Sequence, residues 1–346
     1  MGNFFIEYRD PMFGLIILFS AIFIISFVNY WWSAYKSKEE KSGIEQFVKR
    51  FEIVSDEDEY KTLLKDHNIP LESLALLASG YTKSGDFEKA IGLYLLALER
   101  TKKREQKENM LFNLGITYFK AGFLRRSTDV FLESLKLFPR NEETLRYLSV
   151  TYEKLKEYDK AIEVLDALEE LGAKVKEQRS YLKSLSITYD YKLTDVQKLD
   201  KLTELSDTAP FLQRKIFEFW KITGKSVPLE LFEKFDHKNL LDLLWQADIK
   251  WFDISTCKAP FVKEISRAKG LNNSLEKGEC FELDILAHLN SIGYKGATLN
   301  FDYMCNECKN NFPVHFYRCP SCQAIASVNI QPMISKEHYE ENISFQ

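Results

Sequence analysis

Cysteine is scarce in this chain, with only six among 346 residues. Small secreted scaffolds held together by disulfides need a far higher density, so composition excludes that class. Cys257 and Cys280 have no nearby cysteine in the sequence, and we expect both to be buried apolar side chains.

Excess positive charge is also missing, since the net charge is −4. From residue 295 onward, four Lys or Arg residues stand against five Asp or Glu residues. A nucleic-acid surface needs clustered cations whose binding releases counterions. We therefore expect no binding to nucleic acid.

Motifs that carry catalysis are absent too. The five histidines are scattered, and the chain has no Gly-rich phosphate loop, nucleophile elbow or H-E-x-x-H sequence. We expect the protein not to be an enzyme, and we assign it no catalytic residue.

The most informative residues that are present form two C-x-x-C pairs separated by ten residues. Two such knuckles at this spacing can complete a four-sulfur shell around one ion, and Pro320 stiffens the second. The predicted ligands are Cys305, Cys308, Cys319 and Cys322. Two structural disulfides are the alternative, and the redox compartment decides between them.

The predicted cofactor is one zinc or iron ion, because four thiolates bind either metal. A closed four-ligand shell leaves no open position for substrate, so it indicates a structural ion. His315 lies between the knuckles, but with four thiolates available we expect it to be a surface or strand residue. Strand-like pieces at 298–304, 314–318 and 324–330 would bracket the site.

The N-terminal part predicts a membrane anchor. No charged residue occurs from 11 to 35, and the apolar segment 12–32 is long enough to span a bilayer as a helix. Aromatic residues cluster at both ends, as is typical of interfacial anchoring. A buried core helix is the alternative, and a cleavable signal peptide does not fit the acidic start and bulky exit.

Positive charge on one side of this anchor predicts its orientation. Only Arg9 precedes it, whereas Lys36, Lys38 and Lys41 follow it. The positive-inside rule then leaves residues 1–11 as a short periplasmic segment and places the bulk of the chain in the cytoplasm. That compartment is reducing, which favours metal ligands over disulfides.

The middle of the chain repeats with a period near 34 residues, the length of a tetratricopeptide unit. Three copies fill 71–175, with small residues such as Ala78, Gly115 and Ser149 recurring at one offset. Gly85 and Gly122 fall at turns between helices. The predicted fold is mainly α: a transmembrane helix, a tetratricopeptide-repeat α-solenoid, and a small β-rich four-cysteine ribbon.

The remaining boundaries follow from composition. Residues 33–70 read as a linker with imperfect helices, and 176–296 as degenerate helical repeats that cover the open end of the array. Residues 297–332 form the predicted metal domain, and 333–346 a tail.

The concave face of the solenoid is the predicted partner-binding surface. Phe112 and Phe119 would mark a contact, unless neighbouring helices simply cover them. The residues that the repeat register directs to this face are Thr82, Lys83, Phe112, Ile116, Phe119, Lys120, Arg146, Val150 and Lys154.

The order of anchor, repeats and terminal cysteine pairs resembles the lipopolysaccharide assembly protein B (LapB) family. The closest local similarity lies around Cys305-Asn-Glu-Cys308 and Tyr317-Arg-Cys-Pro-Ser-Cys322. In that family the module is a rubredoxin-like metal domain. The chain departs from the family at Lys309 and Ala324, where Gly and Trp are usual.

The resemblance implies an inner-membrane adaptor that regulates lipopolysaccharide synthesis. Its partners would be the protease FtsH and the deacetylase LpxC, with other lipopolysaccharide assembly proteins and a homo-oligomer as further possibilities. One alternative is a membrane-tethered scaffold for another envelope complex, and another is rubredoxin-like electron transfer.

Overall fold

The structure is a computed structural model that describes residues 22–28, 69–248, 252–272 and 278–336. Within the predicted transmembrane segment 12–32, only 22–28 are described, as a helix with exposed side chains. The rest of that segment, the linker 33–68 and the tail from 337 lie outside the described residues. No helix in the described ranges has the length and apolar character needed to cross a membrane.

The described chain is a mainly α, tetratricopeptide-like solenoid followed by a small antiparallel sheet. It divides into two compact units, residues 1–151 and 152–346. From residue 71 onward, the helices of the first unit are α1 (Leu71–Ser84), α2 (Phe87–Arg100), α3 (Arg104–Lys120), α4 (Leu124–Leu137) and α5 (Glu142–Lys154), whose last residues belong to the second unit.

Equivalent turns join the paired helices. Gly85 ends α1 in the left-handed conformation at φ 87°, and the next amide, Asp86 N, donates to Tyr81 O at 3.0 Å. Gly122 (φ 81°) makes the same turn after α3, where Phe123 N donates to the carbonyl of Tyr118 at 2.9 Å. This is the Schellman end of a helix, in which glycine avoids a Cβ clash. Both predicted turn glycines are confirmed.

The core of the first unit depends on close contact between helices α3 and α4. Gly115 lies against the ring of Phe131, which is fully buried, and Ser127 Oγ donates to Gly115 O at 2.9 Å. Small residues at the repeat offset therefore let the two backbones approach. This is the packing that the sequence predicted.

The second unit has a helical part and a sheet. Its helices are α6 (Tyr158–Glu170), α7 (Lys176–Tyr189), α8 (Asp195–Thr208), α9 (Gln213–Thr223), α10 (Leu229–Phe232), α11 (Leu241–Trp245), α12 (Pro260–Ala268) and α13 (Phe281–Ser291). The turn after α5 uses Lys156 at φ 62°, and Glu157 N donates to Tyr152 O at 2.9 Å. Lys156 thus adopts the left-handed conformation that Gly85 and Gly122 adopt in the equivalent turns.

The sheet has the order β2-β1-β3, with β1 (Ala297–Cys305), β2 (Asn311–Phe312) and β3 (Val328–Lys336). β1 pairs with β3 along its whole length, from Ala297 opposite Lys336 to Cys305 opposite Val328. The strand predicted at 314–318 is not formed: it contributes a single bridge between Arg318 and Ile325. β3 continues to Lys336, past the predicted domain boundary at 332.

β1 connects the helical core to the cysteines. At its beginning, Leu299 belongs to the aromatic core built by Phe217, Trp220 and Phe232, and at its end Cys305 is fully buried. The strand therefore fixes the first cysteine relative to the helices of the second unit.

Two glycines in the first unit test the packing account. A Cβ on Gly115 would overlap the ring of Phe131, whereas a Cβ on Gly80 in α1 would meet nothing within 4 Å. We expect Gly115→Ala to lower the free energy of unfolding by about 1–3 kcal/mol through overpacking. Gly80→Ala should raise it by up to about 1 kcal/mol through helix propensity. Urea denaturation of both variants measures the difference, and equal effects would contradict the account.

Candidate metal centre and repeat surface

The two cysteine pairs adopt the same backbone turn. In the first, Lys309 N donates to Cys305 O at 2.9 Å, and in the second Gln323 N donates to Cys319 O at 3.0 Å. Lys309 and Gln323 are both left-handed, with φ of 62° and 63°. Glycine adopts this conformation most easily, but here a lysine and a glutamine adopt it.

These turns bring the four predicted ligands together. The Sγ atoms of Cys305, Cys308, Cys319 and Cys322 all lie within 4.8 Å of one another. Cys305 and Cys322 are 3.7 Å apart, as are Cys308 and Cys319. Four sulfurs at about 2.3 Å from a central ion would be about 3.8 Å apart in a tetrahedron. The cysteines therefore fit one tetrahedral ion.

None of the six cysteines is in a disulfide, and each belongs to the described residues. The shortest Sγ–Sγ separations given above are well beyond the length of about 2.05 Å that a disulfide requires. The geometry thus favours the metal interpretation over the alternative of two structural disulfides.

The protonation of the thiols depends on their surroundings. Burial raises the pKa of Cys305, but hydrogen bonds from Ser327 Oγ and from backbone amides of the first knuckle outweigh it and lower that pKa to about 6. Burial raises the pKa of Cys319, and it raises the pKa of Cys322 to about 12. The hydrogen bonds thus favour the thiolate form of Cys305, whereas burial disfavours that form at Cys319 and Cys322.

His315 lies outside the sulfur cluster. Its ring packs edge-on against Tyr303 and Tyr317, with centroids 5.6 and 5.1 Å away. Burial, together with the positive charge of Arg214, lowers the pKa of His315 to about 3, so the ring is neutral. His315 is therefore a half-buried aromatic packing residue outside any strand, whereas the sequence predicted a surface or strand residue.

Sequence reasoning missed Ser327 and Arg318. Ser327 Oγ lies 3.3 Å from Cys305 Sγ, and Asn306 N donates to Ser327 O at 2.7 Å. Arg318 Nη1 donates to the carbonyl of Gln323, inside the second turn, at 2.8 Å. Neither residue has a spacing that marks it in the sequence, although both flank a knuckle.

The predicted partner-binding residues differ in exposure. Lys83, Lys120, Arg146 and Lys154 are exposed, Phe112, Ile116 and Phe119 are half-buried, and Thr82 and Val150 are buried. Thr82 Oγ1 lies 2.9 Å from Thr117 Oγ1, which joins α1 to α3.

The two phenylalanines contribute to packing within the first unit. Tyr147 of α5 meets Phe112 and Phe119 edge-on, at centroid distances of 5.7 and 5.9 Å. Both rings therefore contact helix α5. The exposed lysines are the side chains most accessible to a partner.

Comparison with known proteins supports the repeat assignment. A family model described as "Tetratricopeptide repeat" matches residues 73–108. The chain is 36% identical over 90 residues to "Protein CTR9 homolog" of Arabidopsis thaliana, a stretch that covers 26% of this chain and 8% of that protein. The chain thus spans under a tenth of this relative's length, and nothing about the relative's activity follows from it.

Partial similarity to solved structures is also found. "MamA 41-end from Desulfovibrio magneticus RS-1" has 18% identity and a TM-score of 0.35, covering 44% of this chain and 85% of that one. "MamA RS-1 ArsTM double mutant" has 18% identity and a TM-score of 0.36, covering 58% of this chain and 97% of that one. Likeness at this level identifies neither an activity nor a partner.

Metal binding should weaken as pH falls. The raised pKa values of Cys319 and Cys322 mean that an ion must displace protons from these thiols, and protons compete better at lower pH. We expect the apparent zinc affinity to fall at least about tenfold for each pH unit below neutrality. Chelator competition at several pH values measures this. An affinity independent of pH would contradict the displacement of protons.

Proposed function

We propose that the protein is a non-enzymatic adaptor of the LapB type. In this proposal the tetratricopeptide helices bind a protein partner, and the four-cysteine domain forms a second docking surface. The observation that carries it is the combination, in one chain, of a tetratricopeptide helix array and a terminal four-cysteine sheet. Such arrays present extended surfaces to other proteins.

The site chemistry supports a structural role for the ion. Four thiolates would fill the coordination shell of zinc or iron and leave no position for a substrate. Cys305 and Cys319 are fully buried, and the aromatic side chains of Tyr303 and Phe316 pack against them. A small sheet gains much of its folding free energy from such an ion.

The cellular setting is the further part of the proposal. An N-terminal anchor at 12–32 would hold the protein in the inner membrane, with the bulk of the chain in the cytoplasm. There it would bring the deacetylase LpxC to the protease FtsH and so regulate lipopolysaccharide synthesis. This setting rests on the sequence pattern and on the family resemblance.

Recovery of partners from detergent-solubilised membranes tests the proposal. The full chain should retain both FtsH and LpxC, and depletion of the chain should change the level of LpxC. Recovery of neither protein, or an unchanged LpxC level, would contradict the LapB-type role.

Matched variants show whether the repeat surface makes the contact. Lys83→Glu combined with Lys120→Glu reverses two exposed charges on α1 and α3. If these lysines face a partner, recovery should fall by about tenfold or more, because like charges across an interface are costly. Lys136→Glu on α4 removes another exposed lysine and should leave recovery unchanged. Equal effects of both changes would exclude this face.

A further inference from the structure

The segment between the knuckles lies against helices of its own unit. Tyr317 stacks on Tyr181 of α7, with ring centroids 5.8 Å apart and planes at 24°. Its hydroxyl donates to Glu218 Oε2 of α9 at 2.8 Å. Lys215 Nζ lies 5.0 Å from the Tyr317 ring and 5.8 Å from the Tyr181 ring. Tyr317 thus stacks on one side chain, donates a hydrogen bond to a second and contacts the positive charge of a third.

Arg318, the next residue, makes the strongest link. Its Nε donates to both carboxylate oxygens of Glu153 in α5, at 3.1 and 2.9 Å, and its Nη2 also contacts Glu153. The two side chains are only 9% and 11% exposed. An ion pair that is largely withdrawn from water costs much more to break than a surface pair.

Arg318 also contacts the backbone of the second cysteine knuckle. Arg318 Nη1 donates to Gln323 O, and Gln323 N donates to Cys319 O. A short path of hydrogen bonds therefore runs from Glu153 through Arg318 to the backbone of a metal ligand. Movement of the second knuckle would displace this arginine.

A buried polar network that includes Tyr303 of β1 positions Glu218, the hydrogen-bond acceptor of Tyr317. Tyr303 donates to Asp242 Oδ2 at 2.7 Å, and Arg214 binds the same carboxylate through Nη1 and Nη2 at 2.6 and 2.8 Å. Arg214 Nε also donates to Glu218 Oε1 at 3.0 Å, and the other oxygen of Glu218 accepts from Tyr317. Glu218 is thus held in place on its helix to receive Tyr317.

We propose that Glu153, Tyr181, Lys215 and Glu218 form a socket for the Tyr317-Arg318 pair, and that the metal ion keeps this pair docked. In this arrangement ion binding and docking stabilise each other, because both need the same conformation of the second knuckle. Loss of the ion frees the pair and exposes an acidic, aromatic surface on α5, α7 and α9. This coupling goes beyond the proposed adaptor role and does not depend on which partners bind.

Reciprocity gives the first test, on the zinc-loaded full chain. Arg318→Gln leaves the four cysteines intact but removes the charge in the socket. The affinity for zinc, measured by competition with a chelator, should fall by about tenfold to a hundredfold, because a buried ion pair is lost. Glu153→Gln should act similarly, and the double variant should add little, since both changes break one interaction.

Arg179→Gln is the matched control for this test. Arg179 lies in the same unit and pairs with Asp166 and Glu169, whose side chains are 60% and 64% exposed. Exposed pairs contribute little, so its affinity for zinc should remain within about twofold of the parent. Equal zinc affinities for Arg318→Gln and Arg179→Gln would overturn the coupling.

Hydrogen exchange gives the second test, from the metal side. In the full chain carrying Cys319→Ser and Cys322→Ser, amides of α7 and α9 near the socket should exchange faster than in the zinc-loaded parent. Helix α12 supplies no socket residue and should keep its protection. Unchanged exchange in α7 and α9 would contradict the coupling between ion binding and docking. Equal loss of protection in α12, through general unfolding, would also contradict it.

Discussion

Four cysteine sulfurs within 4.8 Å of one another are the constraint on which the C-terminal sheet depends. Burial of this cluster disfavours the charged thiolate form of Cys319 and Cys322 and so raises their pKa values. A bound cation would offset the cost of burying the thiolates and would link the two knuckles. Of the residues in the three strands, only Leu299, Tyr303 and Cys305 are buried, so the sheet supplies little core of its own.

β1 extends the effect of this constraint to the helices. It begins in the aromatic core of the second unit at Leu299 and ends at Cys305, one of the four candidate ligands. Tyr317 and Arg318 make a second attachment, to α5, α7 and α9. The cysteine domain is therefore attached to the helices of its unit in two ways. β1 provides an apolar attachment that continues the core, and Tyr317 and Arg318 provide a polar attachment whose position depends on the second knuckle. The polar attachment is the one that a change in metal occupancy would release.

Local structure could be predicted from the sequence where a residue type has one conformational or chemical role, as cysteine pairs and turn glycines do. Paired cysteines marked the ligands, and glycines 85 and 122 marked helix ends with positive φ. Lys156, Lys309 and Gln323 adopt the same conformation without that signal, so their turns could not be recognised from residue type. The contact of Arg318 with Glu153 joins residues 165 positions apart, and no periodicity predicts it.

X-ray absorption at the metal edge of the purified full chain tests the central claim most directly. The account predicts one zinc or iron ion per chain, surrounded by four sulfur atoms at about 2.3 Å and by no nitrogen or oxygen ligand. Fewer than four sulfur ligands, a mixed shell that includes a histidine nitrogen, or disulfide-bonded cysteines without metal would contradict it.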